Sequence, residues 1–139
     1  MRGLVLTALI LPILLFSQNT DEISIRKVLA DQQVCWNDGD IECFMQGYWK
    51  SDELAFVGKS GITYGWQNTL DNYKKRYPDR DTMGSLTFEI LLAEPLSDDF
   101  WHVVGKWSLQ RKNDNPNGHF SLLFRRFDDE WVIVSDHTS

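Results

Sequence analysis

The closing run Val134-Ser135-Asp136-His137-Thr138-Ser139 carries the most pointed polar group of the chain, the imidazole of His137. Strict alternation along a strand sets His137 on the side of Trp131 and Ile133 and turns Asp136 to the opposite side, so the two neighbours do not form a dyad. An imidazole on an apolar face is a general acid or base near neutral pH, or a hydrogen-bonded plug that closes the end of a core. No carboxylate partner can be named from the sequence, which favours the plug. A second resource is aromatic. Tyr48, Tyr64, Tyr73 and Tyr77, with Trp36, Trp66 and Trp107, are rings whose bodies form an apolar wall and whose tips hydrogen-bond. Any one of them alone is better read as core packing; as a set they point to a ligand pocket walled by Trp36, Tyr48, Tyr64, Tyr73 and Trp107, with His137 orienting a polar group of the ligand. Glu89 alternates with Thr87 and Leu91 and reads as a solvent or interface position rather than a base.

Other chemistries find no support. His102, His119 and His137 are far apart in sequence, and no two share a spacing that would let one element present both to an ion, so no metal site is expected. There is no nucleophile elbow, phosphate loop, zinc-protease helix or paired Cys-Xaa-Xaa-Cys, and Gly58, Gly61 and Gly65 read as turn glycines, so no cofactor is expected. Fourteen Lys and Arg stand against 20 Asp and Glu, a formal charge of -6, which repels phosphate backbones and excludes nucleic acid as a natural partner. The densest basic cluster, Lys74, Lys75 and Arg76, reads as a solvated helix face rather than an anion site.

The elements that must position these residues follow from periodicity. Ile25, Val28, Leu29, Gln32, Cys35 and Trp36 recur at helical spacing, with Asn19 or Thr20 and Glu22 placed to cap the start. Asn37-Asp38-Gly39 stops this helix, and Asp40 caps a short second one carrying Ile41, Phe44, Met45 and Tyr48. Two short strands, Leu54 to Gly58 and Ile62 to Tyr64, form a hairpin. A third helix presents Trp66, Leu70, Tyr73 and Tyr77 on one face and ends at Pro78. From Met83 the period changes to two. Strands are expected at Leu86 to Ala93, Phe100 to Arg111, His119 to Phe127 and Trp131 to His137, joined by short turns and therefore paired antiparallel. Helices precede strands instead of alternating with them, so the fold class is α+β. The strand faces opposite the core are partly apolar, which suggests a partner.

With 139 residues the chain makes one domain with one core. Arg2, the apolar stretch Leu4 to Phe16 and the polar run from Ser17 read as a signal peptide over residues 1–17, leaving a domain over 20–139 and an exported, periplasmic or secreted, protein. A helix over that stretch reaches about 20 Å, short of a bilayer core of roughly 30 Å, so no permanent membrane anchor is expected. Cys35 and Cys43 are read as small buried hydrophobes ahead of a disulfide, because pairing needs Cα atoms within about 7 Å.

Five local patterns resemble the nuclear transport factor 2-like superfamily, in its SnoaL-like and ketosteroid isomerase-related branch. They are Trp36-Asn37-Asp38-Gly39-Asp40, Tyr64-Gly65-Trp66, Tyr73 through Pro78, Gly105-Lys106-Trp107 and Trp131-Val132-Ile133-Val134 with Asp136-His137-Thr138-Ser139. The resemblance covers roughly residues 20 to 139. It implies a strongly bent antiparallel sheet wrapped around N-terminal helices into a cone, a pocket at the open end, and homodimers formed through the sheet. A cystatin-like helix followed by a meander is the structural alternative, against which the second and third helices argue. Members of the superfamily include isomerases, cyclases and dehydratases as well as binding modules, so fold alone does not choose a function. The tyrosine and paired-aspartate constellation of the steroid isomerases has no matching positions here. The expected function is an exported domain binding a small apolar or aromatic ligand. The alternatives are an acid/base isomerase, lyase or hydratase with His137 as the catalytic group, and a non-catalytic dimerisation or protein-interaction module.

Overall fold

The computed structural model describes residues 11–139, with side chains from residue 16 onward; the signal-peptide expectation lies largely outside them. The first helix, α1 (Leu11–Asn37), runs through the predicted cap. Thr20 and Ser24 do not cap a helix end: each hydroxyl donates to the carbonyl four residues back, at 3.0 Å, a bond that satisfies it inside a continuing helix. Ile25, Leu29, Gln32 and Trp36 form the buried stripe of α1, at the spacing that keeps one helix face turned inward.

The corner after α1 forms as the sequence predicts. Gly39 takes φ +80°, a conformation that side chains disfavour, and Asp40 accepts a hydrogen bond from the Cys43 N–H at 2.9 Å to start α2 (Ile41–Phe44). This tight reversal brings the Cα atoms of Cys35 and Cys43 to 5.4 Å, and the two form a disulfide. The packing role expected for them as free thiols is thereby corrected. A single 3-10 turn (Met45–Gly47) leads on to Tyr48.

The hairpin of β1 (Ala55–Gly58) and β2 (Gly61–Tyr64) is followed by α3 (Trp66–Arg76), which stops as Tyr77 leaves helical geometry ahead of Pro78. Next comes one further turn, α4 (Arg80–Met83), absent from the sequence reading; Asp79 and Thr82 cap it reciprocally. The remaining strands, β3 (Ser85–Pro95), β4 (Phe100–Gln110), β5 (Asn117–Phe127) and β6 (Glu130–Thr138), make the expected antiparallel meander.

The six strands form one strongly curled sheet of order β2-β1-β6-β5-β4-β3. Its one parallel pair joins β1 to β6, with Phe56 opposite Asp136, so the early hairpin docks beside the last strand. Two register shifts interrupt the ladders, at Leu91 in β3 and at Val134 in β6; each bulge bends its strand and changes which face the next residue takes. The helices lie on the inner face. Asn37 exchanges two hydrogen bonds with the Leu86 backbone, at 2.7 and 3.1 Å, and Gln33 accepts from the Phe88 N–H at 2.8 Å, so α1 covers the otherwise open edge of β3. Ile25, Leu54, Phe124 and Ile133 are fully enclosed in the core, each adding about 1.5–3 kcal/mol through burial.

Candidate functional site

Between α1, α2 and α3 on one side and the curled sheet on the other lies a cavity of about 610 Å³, a size at which clefts enclose small organic molecules. Trp36, Phe44, Tyr73, Tyr77, Phe88 and Trp107 are among its walls. Four of them brace one another edge to face: Trp36 lies 5.2 Å from Phe44 and 4.9 Å from Tyr77, and Phe44 lies 5.3 Å from Tyr73, centroid to centroid. Rings held this way present a firm apolar surface.

Most polar atoms around the cavity are already committed to the scaffold. The Trp36 indole N–H donates to the Met83 carbonyl at 3.1 Å, the Gln32 amide to the Phe44 carbonyl at 3.1 Å, and the Thr69 hydroxyl to the Gly65 carbonyl at 2.8 Å. One cluster is different. Tyr48, 4% exposed, donates its O–H to Asp136 Oδ2 at 2.7 Å; Asp136, 3% exposed, also accepts from Thr138 Oγ1 at 2.5 Å. The half-buried Tyr73 hydroxyl stands 3.4 Å from that of Tyr48. With Tyr48 donating to the carboxylate, Tyr73 is the donor toward Tyr48, and the three groups form a short relay from the cavity wall to a buried acid.

Burial raises the Asp136 carboxyl from 3.8 to about 6, against the opposing pull of its hydrogen bonds from Thr138 and Tyr48 and of nearby His137. Burial, followed by the charge of Asp136, pushes both Tyr48 and Tyr73 above the ordinary phenol range. The tyrosines therefore remain protonated donors, and Asp136 is the group in the cluster whose charge changes near neutral pH. Its chemistry is that of an acid or base with two phenolic donors beside it.

The positions of the sequence-predicted residues divide clearly. Trp36, Tyr48, Tyr73 and Trp107 line the cavity. Tyr64 does not: its side chain is 60% exposed, because β2 turns Thr63 inward and Tyr64 outward. His137 is likewise exposed and outside the cavity, which corrects both its expected placement and the plug role. The cause is the bulge. Phe124 pairs with Ile133 and Leu123 with Ser135, leaving Val134 unpaired, so the alternation counted from Trp131 and Ile133 is inverted beyond it and Asp136 takes the inward place. Asp136 and Thr138 are the functional candidates that sequence reading missed. The signal available for them was the acid beside His137 in the terminal strand, and strict alternation assigned it to the wrong face.

No protein-family model matches the chain, and no curated protein does either. Among solved structures, an NTF-2 like protein of unknown function from Shewanella oneidensis MR-1 is 41% identical, with the match covering 86% of this chain and 98% of that one at a TM-score of 0.82. A domain of unknown function with a cystatin-like fold from Nostoc punctiforme PCC 73102 is 15% identical over 86% of this chain and 76% of that one, at 0.73. LinA is 14% identical over 89% of this chain and 88% of that one, at 0.72; a second LinA structure is described as a hexachlorocyclohexane dehydrochlorinase. The chain belongs to the NTF2-like family, and its helices followed by a strongly curled sheet are the α+β cone of that family. This supports a small-molecule-binding domain.

Proposed function

We propose that the cavity holds a small, largely apolar or aromatic molecule whose hydroxyl donates a hydrogen bond to the Tyr73 oxygen, the open end of the Tyr73–Tyr48–Asp136 cluster. The observation that carries this reading is the juxtaposition of one buried, interconnected polar cluster with an otherwise aromatic cavity of about 610 Å³. A cavity whose walls are already hydrogen-bonded to the scaffold gains specificity from the few polar groups left facing inward. Export belongs to the same proposal, supported by the Cys35–Cys43 disulfide, since such bridges persist in oxidising compartments. So does a homodimer formed through the outer face of the sheet, where Val104, Leu123 and Val132 stay partly exposed.

Native mass spectrometry of freshly isolated protein, followed by titration with 2-naphthol monitored by tryptophan fluorescence, tests the reading. Expected are a retained small-molecule mass and saturable binding that Tyr73→Phe weakens about tenfold while His137→Gln leaves it unchanged. Absence of both retained mass and saturable binding would sink it.

A second reading, acid/base catalysis on the same bound molecule, is favoured by the placement of a buried carboxyl, Asp136, in the cavity lining with Tyr48 and Tyr73 beside it, where burial raises it to about 6. Asp136 would then take or give the proton and a phenol would steady the developing oxyanion. Asp136→Asn would abolish turnover and leave binding largely intact.

A further inference from the structure

Lys74, Lys75 and Arg76, whose sequence pattern reads as a solvated helix face, occupy different places in the structure. Lys74 turns away from the cavity and pairs with Glu42. Lys75 and Arg76, from the last turn of α3, line the cavity, and so does Lys59 from the β1–β2 turn. All three are exposed, so they stand at the cavity's solvent side. None of the three has an ion-pair partner among the described residues, which leaves their charges free for a ligand. The Arg76 guanidinium sits 5.8 Å from the ring centre of Tyr77, a wall residue, and so borders the apolar lining directly.

Basic residues in the last turn of a helix complement its negative end, which accounts for Lys75 and Arg76 on α3 taken alone. It does not account for Lys59, which comes from a separate element and lines the same cavity. Among the described residues that line the cavity Asp136 is the one acidic side chain, and both its oxygens are engaged by Tyr48 and Thr138. On a chain of formal charge -6, the cavity thus has a protonatable, hydrogen-bonding floor, aromatic walls and a locally cationic entrance. A positive rim at a low-dielectric cleft draws in anions and holds their charged end where water still reaches it.

We propose that the molecule bound here is an amphiphilic anion: an apolar or aromatic body with a hydroxyl for the Tyr48, Tyr73 and Asp136 cluster, and a carboxylate at its other end facing Lys59, Lys75 and Arg76. This rests on the cavity being a ligand site. It adds the charge class and the direction of insertion.

The test is a panel of phenol-bearing carboxylic acids of one to three aromatic rings, each compared with its own uncharged primary amide by tryptophan fluorescence at low and moderate salt. Each acid that binds is expected to bind about tenfold or more tightly than its amide at low salt, with the advantage shrinking as salt rises. The triple variant Lys59→Gln, Lys75→Gln, Arg76→Gln should lose most of the advantage while still binding the amides, with its thermal midpoint lowered by no more than the few degrees that two helix-end charges contribute. Lys74→Gln, a charge change on the same helix but away from the opening, should preserve it. Equal binding of acids and amides, or equal loss in Lys74→Gln and the triple variant, would overturn the anionic class and leave the binding reading standing. Failure of every acid and every amide to bind would overturn both.

Discussion

Asp136 offers the sharpest test of the site, because its buried carboxyl couples the chemistry of the cavity to the stability of the fold. In the unfolded chain the group titrates near 3.8 and in the folded protein at about 6. A group whose folded value is raised binds its proton more tightly when folded. Its stabilising contribution is therefore complete below pH 4 and is lost as pH rises through about 6. The difference of about two units corresponds to about 3 kcal/mol. Asp136→Asn keeps the shape, an acceptor for the Tyr48 hydroxyl and a donor that Thr138 can accept, and it removes the titration. Urea denaturation of both proteins from pH 3.5 to 8 isolates the effect, since every other titrating group cancels in the difference. The variant is expected to gain on the native protein by about 3 kcal/mol between pH 4 and 7, on the order of 10 °C in the thermal midpoint. Parallel curves would show that the carboxyl is not held at a raised value. A difference of the opposite sign would show that the hydrogen bonds from Tyr48 and Thr138 outweigh burial.

Replacing both Cys35 and Cys43 with Ser should lower stability by about 2.5 kcal/mol, the entropy released by opening so short a loop, measured as the urea midpoint with and without reductant; no reductant effect on the native protein would contradict the bridge. Gly105→Ala should cost about 1–3 kcal/mol or more, because the added methyl would come within 2.4 Å of the Phe120 ring and 2.6 Å of the Glu89 carbonyl oxygen; circular dichroism melting showing an unchanged midpoint would refute that packing.

Several features were legible before any coordinates because they depend on local physics. The stripe from Ile25 to Trp36, the Asp40 cap, the stop at Pro78 and the period-two strands after Met83 are each decided within a few residues, and the structure reproduces them. Four of the five aromatic walls could be chosen from α1, the Tyr48 segment, α3 and β4 because large rings on those faces have nowhere else to go. Tyr64 escaped this logic: a short strand at the sheet edge can leave a ring in water at little cost.

By itself, then, the sequence determined the order of elements, the α+β class, an acidic surface and a supply of aromatic rings for one interior. Tertiary structure decided the rest. One unpaired residue at Val134 inverts the face of everything beyond it, and its presence depends on how β6 pairs with β5 and β1. That pairing sends Asp136 inward and His137 outward. Likewise, the corner at Gly39 brings two cysteines within bonding distance, and the hairpin docked beside β6 puts Lys59 on the same cavity as Lys75 and Arg76. Residues distant in the chain become a site only through long-range register, and periodicity within a segment carries no information about its neighbours' register.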